Sequence, residues 1–201
     1  MKFYQREGLI PEGERTHPNQ VEYGDAHVLR VRLIRALLET GGLSVSAAKE
    51  VIGVLDAPDA PLAETFAVAQ HAISAPRAPG VAPTEESRAR VRRLARDRAW
   101  ATTDDNPGID GAARALDGLQ AIGFDPPTSY LDAYATAAAG AAAADLHALT
   151  TLTDPDQVAE LMVVGTVLGD PLFAGLRRLA QQDATSELFP LPDAAREEGP
   201  S

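Results

Sequence analysis

Apolar residues along the chain recur mostly at three- and four-residue spacing, the rhythm of helices laid on a core, and rarely alternate as strands do. Leu29, Leu33, Ala36 and Leu37 line one face of a predicted helix that begins at the N-cap residue Asp25 and runs to about Thr40, where Gly41 and Gly42 stop it. Ser44 caps a shorter helix with Val45, Ala48, Ile52 and Leu55 inward, and Asp56-Ala57-Pro58 breaks it. Leu62, Phe66, Ala69 and Ile73 are then four, three and four residues apart, the a/d rhythm of a coiled-coil seam. That stripe suits a seam between two subunits and equally a helix laid on its own domain.

Three prolines and a glycine between Ala75 and Pro83 make a stiffened linker, the best boundary in the chain. Beyond it Thr84 caps a helix to about Trp100, Ile109 to Ile122 forms another, and Asp125-Pro126-Pro127 separates that from an alanine-rich helix over about Tyr130 to Leu149. Asp154-Pro155 and Asp170-Pro171 each place an N-cap acid before a proline at the first helical position, which predicts two more helices, the second with Leu172, Phe173, Leu176 and Leu179 inward. From about Pro190 the chain turns to Pro, Asp, Glu and Gly, the composition of a disordered tail.

The amino end has a different grammar. Lys2 to Gly8 reads as the last turns of a helix, with Gly8 supplying the left-handed conformation that ends one. Leu9-Ile10-Pro11 is extended, and the turn-forming run Thr16-His17-Pro18-Asn19, flanked by Arg15 and by Val21-Glu22-Tyr23, predicts a short β-hairpin, or wing. Phe3 and Leu9 read as core residues anchoring it.

Composition sharpens this picture. Aromatics are 5% of the 201 residues and Ala is plentiful, which favours packed helices over sheets. No run approaches the roughly 20 unbroken apolar residues of a membrane span, and no apolar run follows Met1-Lys2-Phe3 to make a secretory signal, so a cytoplasmic location is expected. The chain has no cysteine, which excludes disulfides, thiolate metal sites and cysteine nucleophiles. The net charge of −11 is uneven: up to Arg35 six basic side chains face five acidic ones, whereas Pro61 to Ser201 holds eleven basic and twenty acidic. The amino end therefore permits phosphate contact without announcing it.

His17, His27, His71 and His147 fit no metal-ligand spacing, and no phosphate loop, dinucleotide turn or nucleophile elbow occurs. Neither a metal, nor a cofactor, nor an enzymatic activity is expected. Arg88, Arg90, Arg92, Arg93, Arg96 and Arg98 crowd one helix but point around much of the wheel among Glu85, Glu86 and Asp97, as a salt-bridged surface helix does.

Taken together, Lys2-Phe3-Tyr4-Gln5-Arg6-Glu7-Gly8-Leu9-Ile10-Pro11, then Arg15 and Tyr23, then two helices to Leu55 resemble the MerR family of bacterial transcription regulators. The resemblance covers roughly Met1 to Ser74. It implies a winged helix-turn-helix that binds promoter DNA as a homodimer and distorts it, so that RNA polymerase engages the promoter, under control of a small-molecule effector. By the same resemblance Lys2, Tyr4, Gln5 and Arg6 end the recognition helix, and Arg15 and Tyr23 belong to the wing. Lys2 and Arg6 can neutralise phosphates, Tyr4 can offer them a hydroxyl, and Gln5 can read a base edge or cap the helix. Arg30 falls inside an apolar arc and must snorkel, pair with an acid or reach a phosphate. The family pattern places a first helix and most of the recognition helix ahead of the turn at Lys2, so the helix-turn-helix is expected to be truncated here; Glu22 stands where many members carry an arginine close by.

The expected fold is therefore mainly α: a truncated winged helix-turn-helix over 1–57, a dimerisation helix and linker over 58–83 with Leu62, Phe66, Ala69 and Ile73 at the dimer interface, a helical effector-binding bundle over 84–189, and a tail over 190–201. Trp100, Tyr130, Tyr134 and Phe173 suit a pocket for a flat effector, and each also suits ordinary core packing. The alternative is an interaction or ligand-sensing helical protein without DNA binding, in which the wing is vestigial.

Overall fold

A computed structural model describes residues 2–11, 14–17, 20–57, 61–74 and 81–189. It is mainly helical. A short helix α1 (Lys2–Arg6) is followed by two short strands, β1 (Glu14–His17) and β2 (Gln20–Glu22), and by α2 (Asp25–Arg35), which continues into a π-helical turn, Ala36–Thr40. Next come α3 (Val45–Leu55), α4 (Leu62–Ser74), α5 (Glu85–Asp97), α6 (Pro107–Ala121), α7 (Thr128–Leu149) and the long α8 (Pro155–Leu188).

The start signals are carried by side chains that satisfy orphan backbone amides. Ser44 Oγ accepts from Ala47 N at 3.1 Å, Thr84 Oγ1 from Ser87 N at 3.2 Å, and Asp154 Oδ1 from Asp156 N at 3.0 Å. Gly42, at φ 68°, takes the left-handed turn that lets the chain leave the π-helical turn for α3. Asp25 is the first residue of α2 and not its cap; Gly24 holds that position without a side-chain bond.

The strands pair antiparallel, Glu14 with Glu22, Arg15 with Val21 and His17 with Gln20, with an irregularity between Arg15 and His17. This ladder alone does not establish the expected wing, because residues 18–19 at its turn, and the strand side chains, lie outside the described residues.

One core unites both ends of the chain. Leu9 and Ile10, Ile34 and Leu37, Leu43, and Ala47, Ala48, Val51 and Ile52 of α3 pack with Ala69 and Ala72 of α4 and with Val163 and Val167 of α8. The boundary read at the 75–83 linker is thus not a packing boundary, since α8 crosses back to complete the amino-terminal core. Gly41 makes that approach possible: a Cβ there would overlap Val167 Cγ1.

Several expectations are corrected. Asp170-Pro171 does not start a helix. Pro171 lies inside α8, which runs unbroken from Pro155 to Leu188, so the region after the linker holds four helices and not five. A proline there cannot donate to the carbonyl of Val167, a local loss of about 3 kcal/mol that the packing of Val163 and Val167 offsets. Leu172, Leu176, Leu179 and Leu29 face outward although their spacing reads as inward, and Phe3, expected as a core anchor of the wing, is exposed as well. The seam on α4 is spent within the chain: Ala69 is fully buried and Ile73 packs on the same core, which leaves Leu62 as its exposed member. By length and composition α8 is also apolar enough to cross a membrane, contrary to the reading that no stretch comes near; 17% of its most apolar window is buried.

The arginine-rich α5 is fastened by carboxylates, as its charge pattern predicts. Arg88 reaches Asp110 at 2.7 Å, Arg90 reaches Asp125 at 2.6 Å, and Arg98 reaches Asp132 at 3.3 Å. These partners lie on α6, on the 122–127 loop and on α7, so the arginines tie α5 to the rest of the bundle.

Candidate functional site

Two places in the molecule gather the residues singled out in the sequence. The first is the surface formed by α1 and the segment that leads into α2. Gln5 Nε2 donates to the hydroxyl of Tyr23 at 3.1 Å, and the Tyr23 ring meets His27 edge-on at 5.4 Å. Tyr23 thereby links α1 to α2 across the strands. Tyr4 is half-buried against the core and packs edge-on with Phe3, so its ring is a structural anchor. Arg6 has 76% of its side chain exposed, lies over the Phe3 ring at 5.7 Å and stands 3.8 Å from one oxygen of Glu7.

Glu7 is shared between Arg6 and α3, and its shorter contact is to α3. It accepts from Lys49 Nζ at 2.8 Å, and that hydrogen bond holds its carboxyl below the ordinary range. Arg30 resolves its conflict on the apolar arc by pairing with Asp56. Its guanidinium therefore closes the end of α3 onto α2. The side chains of Lys2 and Arg15 lie outside the described residues.

The second place is an open cavity of about 720 Å³ lined by α5, α6, α7 and α8. Trp100, Tyr130, Tyr134 and Phe173, which stand on two helices and a loop, all line it. Its remaining wall is largely aliphatic, from residues such as Leu94, Ile109 and Leu116. Tyr130 and Tyr134 stack at 4.7 Å with Phe124 edge-on to Tyr130. The Tyr130 hydroxyl donates to that of Tyr134 at 3.1 Å, and this bond, aided by burial, raises the Tyr130 phenol above its usual value.

Arg177 is the residue that sequence reasoning missed here. Its Nη2 donates to the Tyr134 hydroxyl at 2.5 Å and its guanidinium lies over the Tyr134 ring at 5.2 Å. The available signal was its spacing: Arg177 follows Phe173 by one helical turn on α8, so the two share a face.

A smaller cavity of about 350 Å³ lies between α4, α7 and α8. Phe66 and Ile73 of the α4 seam face it, opposite Asp145 and Asp170, and Phe173 borders both cavities. Among the described residues no group of three metal-ligating side chains comes together.

Comparison with known proteins bears on the first surface directly. Residues 1–53 match the family described as MerR HTH family regulatory protein. Over 95% of this chain and 91% of the other, the fold is similar to the crystal structure of SCO5550 from Streptomyces coelicolor A3(2), a protein assigned as a transcriptional regulator, with 25% identity and a TM-score of 0.68. No curated protein matches the chain significantly.

Proposed function

We propose, for a chain whose residues 1–53 are a MerR-family regulatory segment, that it binds promoter DNA as a homodimer and distorts it in response to a small-molecule effector held in the larger cavity. In this reading the head is the DNA-facing part, Arg6 and Arg15 are phosphate contacts, and the Gln5–Tyr23 hydrogen bond fixes the angle between α1 and the strands. RNA polymerase is affected only through the altered DNA, and the protein works in the bacterial cytoplasm, where that DNA is.

The observation that carries the reading is the course of α8. Val163 and Val167 are part of the amino-terminal core, and Phe173 and Arg177, two and three turns further on, form one wall of the cavity. A ligand that favours one position of Phe173 and Arg177 would bias the same helix whose other end braces the head. Its leverage equals its differential affinity for the two positions.

The dimer is supported by the outer face of α8. Leu172, Leu176 and Leu179 repeat at four and three residues on the side opposite Val163 and Val167, and all three are exposed. A continuous apolar stripe of this kind is unusual on a monomer.

Selection of bound duplexes from a random pool, followed by titration of the recovered sequence at several salt concentrations, tests DNA binding. The expected site is palindromic. Arg6→Ala and Arg15→Ala should each weaken binding across sequences and reduce the salt slope by about one. Recovery of no duplex, or affinity untouched by both substitutions, would leave the ligand-sensing alternative as the better reading.

A further inference from the structure

The larger cavity is selective by charge. Resting on the reading of this cavity as the effector site, we infer that its ligand is a flat, mostly apolar molecule bearing one anionic oxygen group, such as an aromatic carboxylate, which Arg177 and the Tyr134 hydroxyl receive.

Hydrogen-bond accounting at Tyr134 gives the first argument. A phenolic hydroxyl has one proton to donate and two lone pairs. Arg177 Nη2 and the Tyr130 hydroxyl both donate to this oxygen, so its accepting capacity is filled. What it still offers is its own proton, for which the described residues supply no acceptor. A ligand group meeting Tyr134 must therefore accept. An ammonium would find no lone pair there and would face a guanidinium.

Charge gives the second argument. Arg177 is the one charged side chain lining the cavity among the described residues, and no carboxylate among them lies within salt-bridge distance of it. On α5 and at its C-cap, Arg88, Arg90, Arg92 and Arg98 each have an acidic partner; Arg93 and Arg96, which have none among the described residues, do not line the cavity as Arg177 does. An unpaired guanidinium held in place by stacking on Tyr134 beside an apolar wall is suited to a forked oxyanion.

The body of the ligand follows from the walls. Tyr130 and Tyr134 stack nearly parallel, with an interplanar angle of 30°, and Trp100 and Phe173 line the same space. Rings so arranged favour a planar partner over a globular aliphatic one. The volume lies within the range of sites that take drug-sized molecules.

The test uses the whole chain and two dyes of the same aromatic body, anilinonaphthalene sulfonate, which is anionic, and phenylnaphthylamine, which is neutral. Energy transfer from Trp100, the chain's one tryptophan, reports binding of each. Arg177→Gln keeps a donor for Tyr134 but removes the charge. It should weaken the sulfonate dye by about tenfold, the loss expected for a hydrogen bond to a charged group, and leave the neutral dye nearly unchanged. Ala112→Phe, which fills the cavity from α6, should weaken both dyes.

If Arg177→Gln weakens both dyes equally or neither, while Ala112→Phe still displaces them, the charge selectivity is wrong and the effector cavity stands. If Ala112→Phe leaves both dyes in place, the cavity itself is not the site, and the inference fails with the reading beneath it.

Discussion

Gly41 ends the π-helical turn directly beneath Val167 of α8, so close that a Cβ on Gly41 would overlap Val167 Cγ1. The backbone of Gly41 is right-handed helical, at φ −73°, so no conformational requirement calls for glycine. The approach of α8 does, and the Leu37 carbonyl oxygen, 2.9 Å from that Cβ, adds to it. Gly41→Ala should therefore separate two effects that usually compete. The reduced freedom of the unfolded chain would stabilise by about 0.4–1 kcal/mol, while overpacking against a β-branched side chain with one favoured rotamer costs about 1–3 kcal/mol. A net loss of stability is expected in urea denaturation. Gly53→Ala on α3, where the added Cβ meets nothing within 4 Å, should instead be stabilising. Equal shifts in the two variants would mean that α8 does not press on the head.

Asp170 is held in an unfavourable state. Burial and, second to it, the Asp145 carboxylate raise its pKa above the ordinary aspartate value. The folded chain thus binds this proton more tightly than the unfolded chain does, so stability falls as pH rises from the ordinary value through the raised one. Asp170→Asn should raise the thermal midpoint at pH 7, and the gain should vanish in acid, once both states of the wild type carry the proton. A gain of the same size at both ends of the pH range would point to a cause other than titration.

The opposite sign holds at the start of α5. Asp117 accepts from Ser87 Oγ at 2.6 Å, from Thr84 Oγ1 at 2.7 Å and from Thr84 N at 2.8 Å, and these bonds lower its pKa, the Ser87 bond most. Arg88 lowers Asp110 and Arg90 lowers Asp125 in the same way. Such carboxylates contribute stability above the ordinary value, about pH 4, that is lost as pH falls through their depressed folded values. Acid should therefore loosen α5 from α6. Asp117→Asn should be less stable than the wild type at neutral pH, and the two acid-unfolding curves, followed by circular dichroism, should converge once the pH has fallen below the depressed folded value. A constant gap between them would remove Asp117 from the account of acid lability.

The contrast between what could and could not be read beforehand follows from the range of each interaction. Caps at Ser44, Thr84 and Asp154 act within three residues, so their sequence carried them into the structure unchanged. The spacing on α4 named a buried face but not its partner, and the partners turned out to be α3 and α8 of the same chain. Asp170-Pro171 is a sound local start signal that tertiary packing overrides, because Val163 and Val167 lock the preceding turns into the head core. Trp100, Tyr130, Tyr134 and Phe173 were recognisable one by one as rings fit for a pocket. Only the packing of four helices brings them to one cavity, and with them Arg177, whose charge had no visible purpose in the sequence. Tyr4 and Arg30 look alike in a motif as polar groups beside DNA, but one is half-buried against the core and the other is paired with Asp56.

The exposed stripe on α8 makes the last expectation concrete. Leu172, Leu176 and Leu179 have 56% to 65% of their surfaces open, on the side of the helix turned away from both the head core and the cavity. Three leucines so placed would bury apolar surface against a second copy, worth about 25 cal/mol per Å², a gain that further contacts must supplement to meet translational and rotational losses. Leu176→Glu sits at the centre of the stripe and touches neither Val167 nor Arg177 by its face. It should halve the mass seen in light scattering while the helical circular dichroism signal and dye binding in the cavity persist. On the proposed reading DNA affinity should fall too, since a lone subunit would reach one half-site. An unchanged mass would take the second copy away from this face and return attention to Leu62 on α4.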